Sequence, residues 1–167
     1  SQERYNETIF RCALGPDLAV LPAGDATEIG ERGINLSGGQ KARVALARAV
    51  YANADIYLLD DPLAAVDSHV GTHIFERCIL QLKAAGKAVL LVTNALHLLK
   101  RCSYVLMMNR GCITSAGTFG ALLANDSVFK DMIETYIESS ADTSETKVDK
   151  ESNCVSAKDV DWQGITK

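Results

Sequence analysis

Apolar residues along this chain follow two rhythms, and the changes between them mark out the elements. Residues 1–35 open with a short amphipathic stretch (Tyr5, Ile9, Cys12, Ala13) and then break at Gly15-Pro16 and at Pro22-Ala23-Gly24-Asp25, which read as turns. Ser37-Gly38-Gly39-Gln40 reads as a helix start, with Ser37 as N-cap and Gln40 three residues later. That helix is expected to run to about Tyr51 on good formers such as Ala42, Leu46 and Ala49. Ile56-Tyr57-Leu58-Leu59 is wholly apolar, the pattern of a strand covered on both faces. A second helix is expected after Ser68, with Ile74, Cys78 and Leu82 at four-residue spacing and Phe75 and Ile79 beside them. Ala88-Val89-Leu90-Leu91-Val92 is a second apolar strand.

Strand, helix and strand at this spacing predict a parallel βαβ unit with a right-handed crossover, so the fold class is α/β with helices on a parallel sheet. Ligands of such sheets sit beyond the carboxyl ends of the strands. Asp60 and Asp61 lie at one such end and Thr93-Asn94 at the other. Further on, Tyr104–Met108, the turn Asn109-Arg110-Gly111 and Cys112–Ser115 predict a hairpin, and Thr118–Leu123 a short helix. Ser127–Ile137 reads as helical through Val128, Met132, Ile133 and Tyr136. From Ser139 the sequence is polar and aperiodic, the composition of a linker, with Trp162 read as a loosely docking side chain.

Length and composition narrow this picture. The chain has 167 residues, enough for one domain, and 47% of them are hydrophobic, enough for a real core. A net charge of −4 argues against a generally cationic nucleic-acid binder. No apolar run is long enough to span a membrane, and Ser-Gln-Glu-Arg at the N-terminus lacks signal-peptide character. Five scattered cysteines (Cys12, Cys78, Cys102, Cys112, Cys154) without a CxxC pair fit reduced thiols better than a disulfide framework or a zinc site. His69 and His73 stand one helical turn apart without a third ligand and read as exposed residues.

An apolar strand ending in adjacent carboxylates is the magnesium-binding half of a P-loop ATPase. Four apolar residues and Asp-Asp carry little alone, but Leu36-Ser37-Gly38-Gly39-Gln40-Lys41 lies some twenty residues upstream, and Pro62-Leu63-Ala64-Ala65-Val66-Asp67 follows directly. This combination closely resembles the nucleotide-binding domain of ATP-binding-cassette (ABC) transporters: the LSGGQ signature, the Walker B strand and the D-loop, in that order. Thr27–Gly33 resembles the X-loop of ABC exporters. Asp60-Asp61-Pro62-Leu63 and Val66-Asp67-Ser68-His69-Val70-Gly71 resemble the first such domain of subfamily C, the multidrug-resistance-associated type.

The resemblance implies a P-loop NTPase-like fold whose N-terminal part is missing. Residues 1–125 would form the partial domain (end of the helical subdomain, signature, Walker B, D-loop and switch position), and 126–167 a helix and then a flexible linker. The implied cofactors are ATP and Mg²⁺. Asp60 would hold the metal through water and Asp61 would be the base. Leu36, Ser37, Gly38, Gly39 and Gln40 would contact ATP held by a second nucleotide-binding domain in a head-to-tail dimer, with Asp67 signalling across it. The signature also has its own physical reading: two glycines at a helix start let backbone N–H groups approach an anion, and the helix dipole favours negative charge there. Lys41 and Arg43 would add positive potential or stand as solvated helix residues. Thr27–Gly33 would meet a transmembrane domain, placing the chain on the cytoplasmic face of a membrane transporter with no nucleic-acid partner.

Three departures qualify the resemblance. No GxxxxGK[ST] occurs, so the phosphate cradle is absent and the chain reads as the C-terminal portion of a domain, whether truncated, alternatively spliced or partially sequenced. The glutamate expected beside the metal-binding aspartate is Asp61, shorter by one methylene, and a misplacement of about 1 Å can cost on the order of 100-fold. The switch histidine is Asn94, which carries no imidazolium charge and shuttles no proton; His97, three residues on, reads as a helix-surface residue. The chain's own site should therefore hydrolyse poorly, while the opposite site, which needs only this signature and D-loop, stays competent. The rivals are a soluble ABC ATPase of DNA repair or translation, opposed by the exporter-like Thr27–Gly33, and a non-hydrolysing regulatory product, favoured for the short chain by the absent loop. By itself the chain should bind ATP weakly: calorimetric titration with Mg-ATP should show no saturable binding tighter than about 1 mM, roughly 4 kcal/mol.

Overall fold

The computed structural model describes residues 1–30 and 36–141 and divides the chain into two compact units, Ser1–Asn94 and the residues from Ala95 onward. In the first unit, α1 (Gln2–Arg11) is capped by Ser1, whose hydroxyl accepts from the Arg4 N–H. Gly15-Pro16, read as a turn, instead opens a short helix, α2 (Gly15–Val20). Proline in the first turn has no N–H to lose and a φ already suited to the helix, so a breaker signal serves here as a start. A 3₁₀ turn, Gly24–Ala26, comes before α3 (Gly38–Ala52), which ends at Asn53 in the left-handed conformation.

Strands β1 (Ile56–Asp60) and β2 (Ala88–Val92) pair in parallel, Ile56 opposite Ala88 and Asp60 opposite Val92. The crossover between them begins as α4 (Ser68–Ile74), loosens into one π-helical turn (Phe75–Ile79) and closes as α5 (Leu80–Ala84). Lys87 and Asp55 pin the opening of the pair with a 2.9 Å ion pair, and the Asp61 N–H donating to the Val92 carbonyl at 2.9 Å pins its end. The core of this unit collects Cys12, Leu14, Leu46, Val50, Tyr57, Leu59, Ile74, Phe75 and Leu82. Tyr5 and Tyr51 tie α1 to α3 edge to face at 6.4 Å, with the Arg4 guanidinium 4.5 Å above the Tyr51 ring.

β1 is not covered on both faces. Tyr57 and Leu59 are buried, whereas Ile56 and Leu58 are 66% and 74% exposed, and Leu90 and Val92 beside them are 53% and 56% exposed. With two strands in this sheet and the crossover packed beneath one side, the other apolar face meets solvent. Cys12 and Cys78 are free, fully buried thiols in contact; the hydrogen bond to Cys78, then burial, pushes the Cys12 thiol far above its ordinary range. Cys102 is also free.

The second unit starts with a 3₁₀ helix, Leu96–Arg101, and continues into the expected hairpin of β3 (Val105–Asn109) and β4 (Cys112–Gly117). Arg110 and Gly111 both have positive φ, as a two-residue hairpin turn requires. Helices α6 (Phe119–Asn125), capped by Thr118, and α7 (Ser127–Ala141) follow. Val105, Leu122, Phe129 and Ile133 form its core, with Phe119 edge to face on Phe129 at 5.7 Å. The polar linker reading and Trp162 fall outside the described residues.

Asp126 joins hairpin to helix. One carboxylate oxygen accepts from the hydroxyl of buried Ser115 and the other from the Phe129 N–H at 2.8 Å, so Asp126 caps α7 while holding β4. The Ser115 bond first, and the Phe129 N–H second, lower the Asp126 pKa below the ordinary carboxylate value. A depressed folded-state pKa contributes stability that is complete above the unfolded value, about pH 4, and is lost as pH falls through the folded value. Asp126→Ala should lower stability at pH 7 by about 0.5–2 kcal/mol, the usual cost of losing a cap. Urea denaturation at pH 7 and pH 3 should show the gap between parent and variant narrowing at the lower pH.

Candidate functional site

The signature residues sit at the first turn of α3, and the sequence builds that turn from a reciprocal pair of bonds. Ser37 Oγ accepts from the Gln40 N–H at 3.2 Å, and Gln40 Oε1 accepts from the Ser37 N–H at 2.9 Å. The Lys41 N–H reaches the Ser37 carbonyl at 3.0 Å. The N–H groups of Gly38 and Gly39 find no acceptor among the described residues. Both donors lie at the positive end of a fifteen-residue helix, Gly38 exposed and Gly39 buried.

Gly39 is required by a neighbour, whereas Gly38 is not. A Cβ on Gly39 would lie 2.5 Å from the Ala65 carbonyl oxygen, and one on Gly38 would rest 3.8 Å from the Ala65 Cβ. The start of α3 is thus pressed against the loop Pro62–Asp67 that follows β1, bringing together two motifs more than twenty residues apart in sequence. Sequence reading treated these glycines as giving access to a ligand. The contact with Ala65 is a second reason for Gly39, and no local pattern announces it.

At the carboxyl end of the sheet, Asp60 is exposed and makes no side-chain hydrogen bond among the described residues. Asp61 turns out of the strand with φ +43°, a left-handed conformation that aspartate tolerates better than most residues. There its carboxylate accepts from the Asn94 amide at 3.1 Å. The two positions at which this chain departs from the ABC pattern are therefore in contact. Asp67 caps α4, accepting from the Val70 N–H at 2.9 Å, and this bond leads in holding its carboxyl below the usual range. Among the described residues no cluster of three or more His, Cys, Asp or Glu side chains could hold a metal ion.

Other expected residues fall elsewhere. His69 is exposed as expected, but His73 is half-buried, its Nε2 2.9 Å from the Phe10 carbonyl and its ring edge to face with Phe10. His97 Nδ1 meets the Tyr136 hydroxyl at 3.2 Å within the second unit. Arg43, expected either to lend positive potential or to be solvated, is instead committed to Asp17 of α2 in a half-buried ion pair at 2.7 Å. Asp17 was missed by sequence reading, since a partner on a separate helix has no spacing signature. Of Thr27–Gly33, Thr27 donates to the Gly24 carbonyl at 2.8 Å, while residues 31–33 lie outside the described residues. Leu36 and Gln40 border a cavity of about 380 Å³ among α1, α2 and α3, lined mainly by apolar side chains and not by Asp60 or Asp61.

A family model for the ABC transporter matches residues 17–64, the stretch that carries the signature, β1 and both carboxylates. The chain is 52% identical over 145 residues to "Multidrug resistance protein mrp-7" of Caenorhabditis elegans, an alignment that covers 86% of this chain and 10% of that protein. The chain belongs to the ABC transporter family. It is also 47% identical over 151 residues to the human "ATP-binding cassette sub-family C member 2", covering 89% of this chain and 10% of that protein. To "ABC-type transporter cicA" of Emericella nidulans it is 50% identical over 136 residues, 81% of this chain and 10% of that one. This ABC chain thus carries nucleotide-binding-domain sequence related to multidrug-resistance-type transporters, and it spans about a tenth of the length of the curated relatives it matches. Among the described residues no helix is long and apolar enough to cross a membrane.

The close approach at Ala65 generates a stability prediction. Gly39→Ala forces its new methyl against a backbone oxygen that cannot rotate away, and overpacking of this kind typically costs about 1–3 kcal/mol. Gly38→Ala meets only ordinary contact and should cost well under half as much. Comparing the urea midpoints of the two variants checks the difference.

Proposed function

We propose that this chain supplies the signature-bearing half of one composite ATP site and the carboxylate-bearing half of another, in an exporter that couples ATP hydrolysis to transport across a membrane. The observation that carries the reading is the capped helix start itself, where the Gly38 and Gly39 N–H groups have no acceptor among the described residues, Gly38 is exposed and Gly39 admits no side chain. A γ-phosphate held by a second nucleotide-binding domain is the acceptor such a turn suits, with the Ser37 hydroxyl beside it. Arg43 adds little there because Asp17 neutralises it, which leaves Lys41 as the nearby cation. Contact of the X-loop with a transmembrane domain and signalling by Asp67 across a head-to-tail dimer belong to the same proposal, as does a location on the cytoplasmic face of the membrane.

The donor set beyond β1 fits magnesium. Asp60 offers an unengaged hard oxygen ligand without a surrounding cage of carboxylates, which suits an ion that keeps most of its waters and takes the rest of its shell from phosphate. When bound, that ion would neutralise charge on the phosphates. Asp61 would orient and deprotonate water, and here it is weakened twice. Its side chain is short, and Asn94 engages the same carboxylate with a donor that can neither accept nor pass on a proton. Asn94 can still donate to a phosphate oxygen once it releases Asp61. The chain's own site therefore holds nucleotide longer than it cleaves it, and the opposite site performs most turnover.

Two variants in the full-length transporter test this division. Ser37→Arg places a cation and bulk where the partner's phosphate would rest and should remove most turnover. Asp61→Glu combined with Asn94→His should raise hydrolysis at the chain's own site, isolated by single-turnover measurement with the partner's P-loop disabled. One group that stabilises a transition state is worth about 2.7–4 kcal/mol, so a gain of at least about tenfold is expected. If the double variant is no faster there, Asp61 and Asn94 do not limit that site.

A further inference from the structure

We infer that Asp17, on a different helix from the signature, is the positioning residue that fixes the direction of the signature's hydrogen bonds. The inference rests on the reading of Ser37, Gly38 and Gly39 as the phosphate-facing turn, and it adds the element that holds them.

The Asp17 carboxylate collects four short contacts from α3. Arg43 Nε donates to Oδ2 at 2.9 Å, and Arg43 Nη2 lies 2.8 Å from Oδ1 and 2.7 Å from Oδ2. Gln40 Nε2 donates to Oδ1 at 3.2 Å. The Asp17 and Arg43 side chains keep only 15% and 12% of their exposure, so the pair is screened from water and geometrically specific.

The consequence lies in Gln40. Its amide has one accepting and one donating end, and both are committed: Oε1 to the Ser37 N–H and Nε2 to Asp17. Rotating that amide by half a turn would set Nε2 against the Ser37 N–H, donor facing donor, and Oε1 against a carboxylate, acceptor facing acceptor. A carboxylate only accepts, so Asp17 allows one of the two orientations. Arg43 keeps the half-buried charge in place, and Gln40 converts that charge into a fixed acceptor for Ser37. The bonds run Arg43, Asp17, Gln40, Ser37, and they end at the first turn of α3, where the Gly38 and Gly39 N–H groups have no acceptor among the described residues.

This makes the sign of the pair matter as well as its presence. In the exchange variant Asp17→Arg with Arg43→Asp an ion pair persists, but residue 17 now donates. Gln40 must then offer it Oε1, and the Ser37 N–H loses its acceptor. A role in packing alone would be restored by the exchange, whereas a directional role would not.

The test uses the 167-residue chain, with amide solvent exchange followed by NMR. In Asp17→Asn, exchange at the Ser37 and Gln40 N–H groups should accelerate by about fivefold or more, the factor set by the net worth of one hydrogen bond, while Leu46 and Ala47 in mid-helix stay within about twofold. The exchange variant should recover the parent's melting midpoint yet keep the faster Ser37 exchange. Parent-like Ser37 exchange in either variant, or equal acceleration along all of α3, would overturn the inference. In the full-length transporter, the exchange variant should lower kcat with a smaller effect on KM. If the exchange variant leaves kcat unchanged while Ser37→Arg abolishes turnover, the positioning role fails and the phosphate-facing reading stands. If Ser37→Arg itself leaves turnover intact, that reading fails, whatever the amides show.

Discussion

The close approach of Gly39 to the Ala65 carbonyl is the constraint on which the rest of the site depends. A helix can begin against a backbone oxygen only where no side chain intervenes, and the 2.5 Å separation at a hypothetical Cβ leaves glycine as the one residue that fits without movement. That contact fixes the first turn of α3 against the loop after β1, and the same loop runs from the carboxylates Asp60 and Asp61 to the Asp67 cap of α4. The first turn of α3 and the carboxylate end of the strand thus share a wall. A shift in one is felt by the other through packed backbone, which is stiffer than a chain of side chains.

Much of this was legible because it is local. The capping box of Ser37 and Gln40, the two apolar strands with a helix between them and the hairpin around Arg110-Gly111 each lie within a short window and obey a period or a turn rule. Pro16 misled because a proline marks a break or a beginning, and the sequence alone does not say which. The exposed side of β1 was hidden for another reason. An apolar run records what a strand prefers to bury against, and here the described residues supply cover for Tyr57 and Leu59 but not for Ile56 and Leu58. Asp17 and Ala65 were out of reach altogether, because each acts on α3 from another element and leaves no spacing to read.

The candidate site shows the same division. Residue types named the chemistry: adjacent carboxylates for a hydrated cation, paired glycines for an anion. Geometry then changed the accounting. Gln40, which the motif offered as a ligand contact, has both ends of its amide engaged inside the chain. Arg43, which looked like a source of positive potential, is neutralised. Asp67 spends its carboxylate on a helix cap. Among the described residues, what the turn leaves uncommitted is smaller and better defined: the N–H groups of exposed Gly38 and buried Gly39, and the Lys41 side chain.

The backbone of Asp61 also bears on how such a site changes over generations. Its φ of +43° belongs to a region that costs most L-residues roughly 1–2 kcal/mol, and short polar side chains such as aspartate escape part of that cost by bonding locally. The Asn94 amide reaches the same carboxylate from the end of the neighbouring strand, a bond between side chains distant in sequence. A glutamate at position 61 would meet a less favourable backbone, and a histidine at position 94 would remove the amide that engages Asp61. Each residue therefore bears on which substitutions the other position tolerates, and the backbone itself constrains how this strand end can vary.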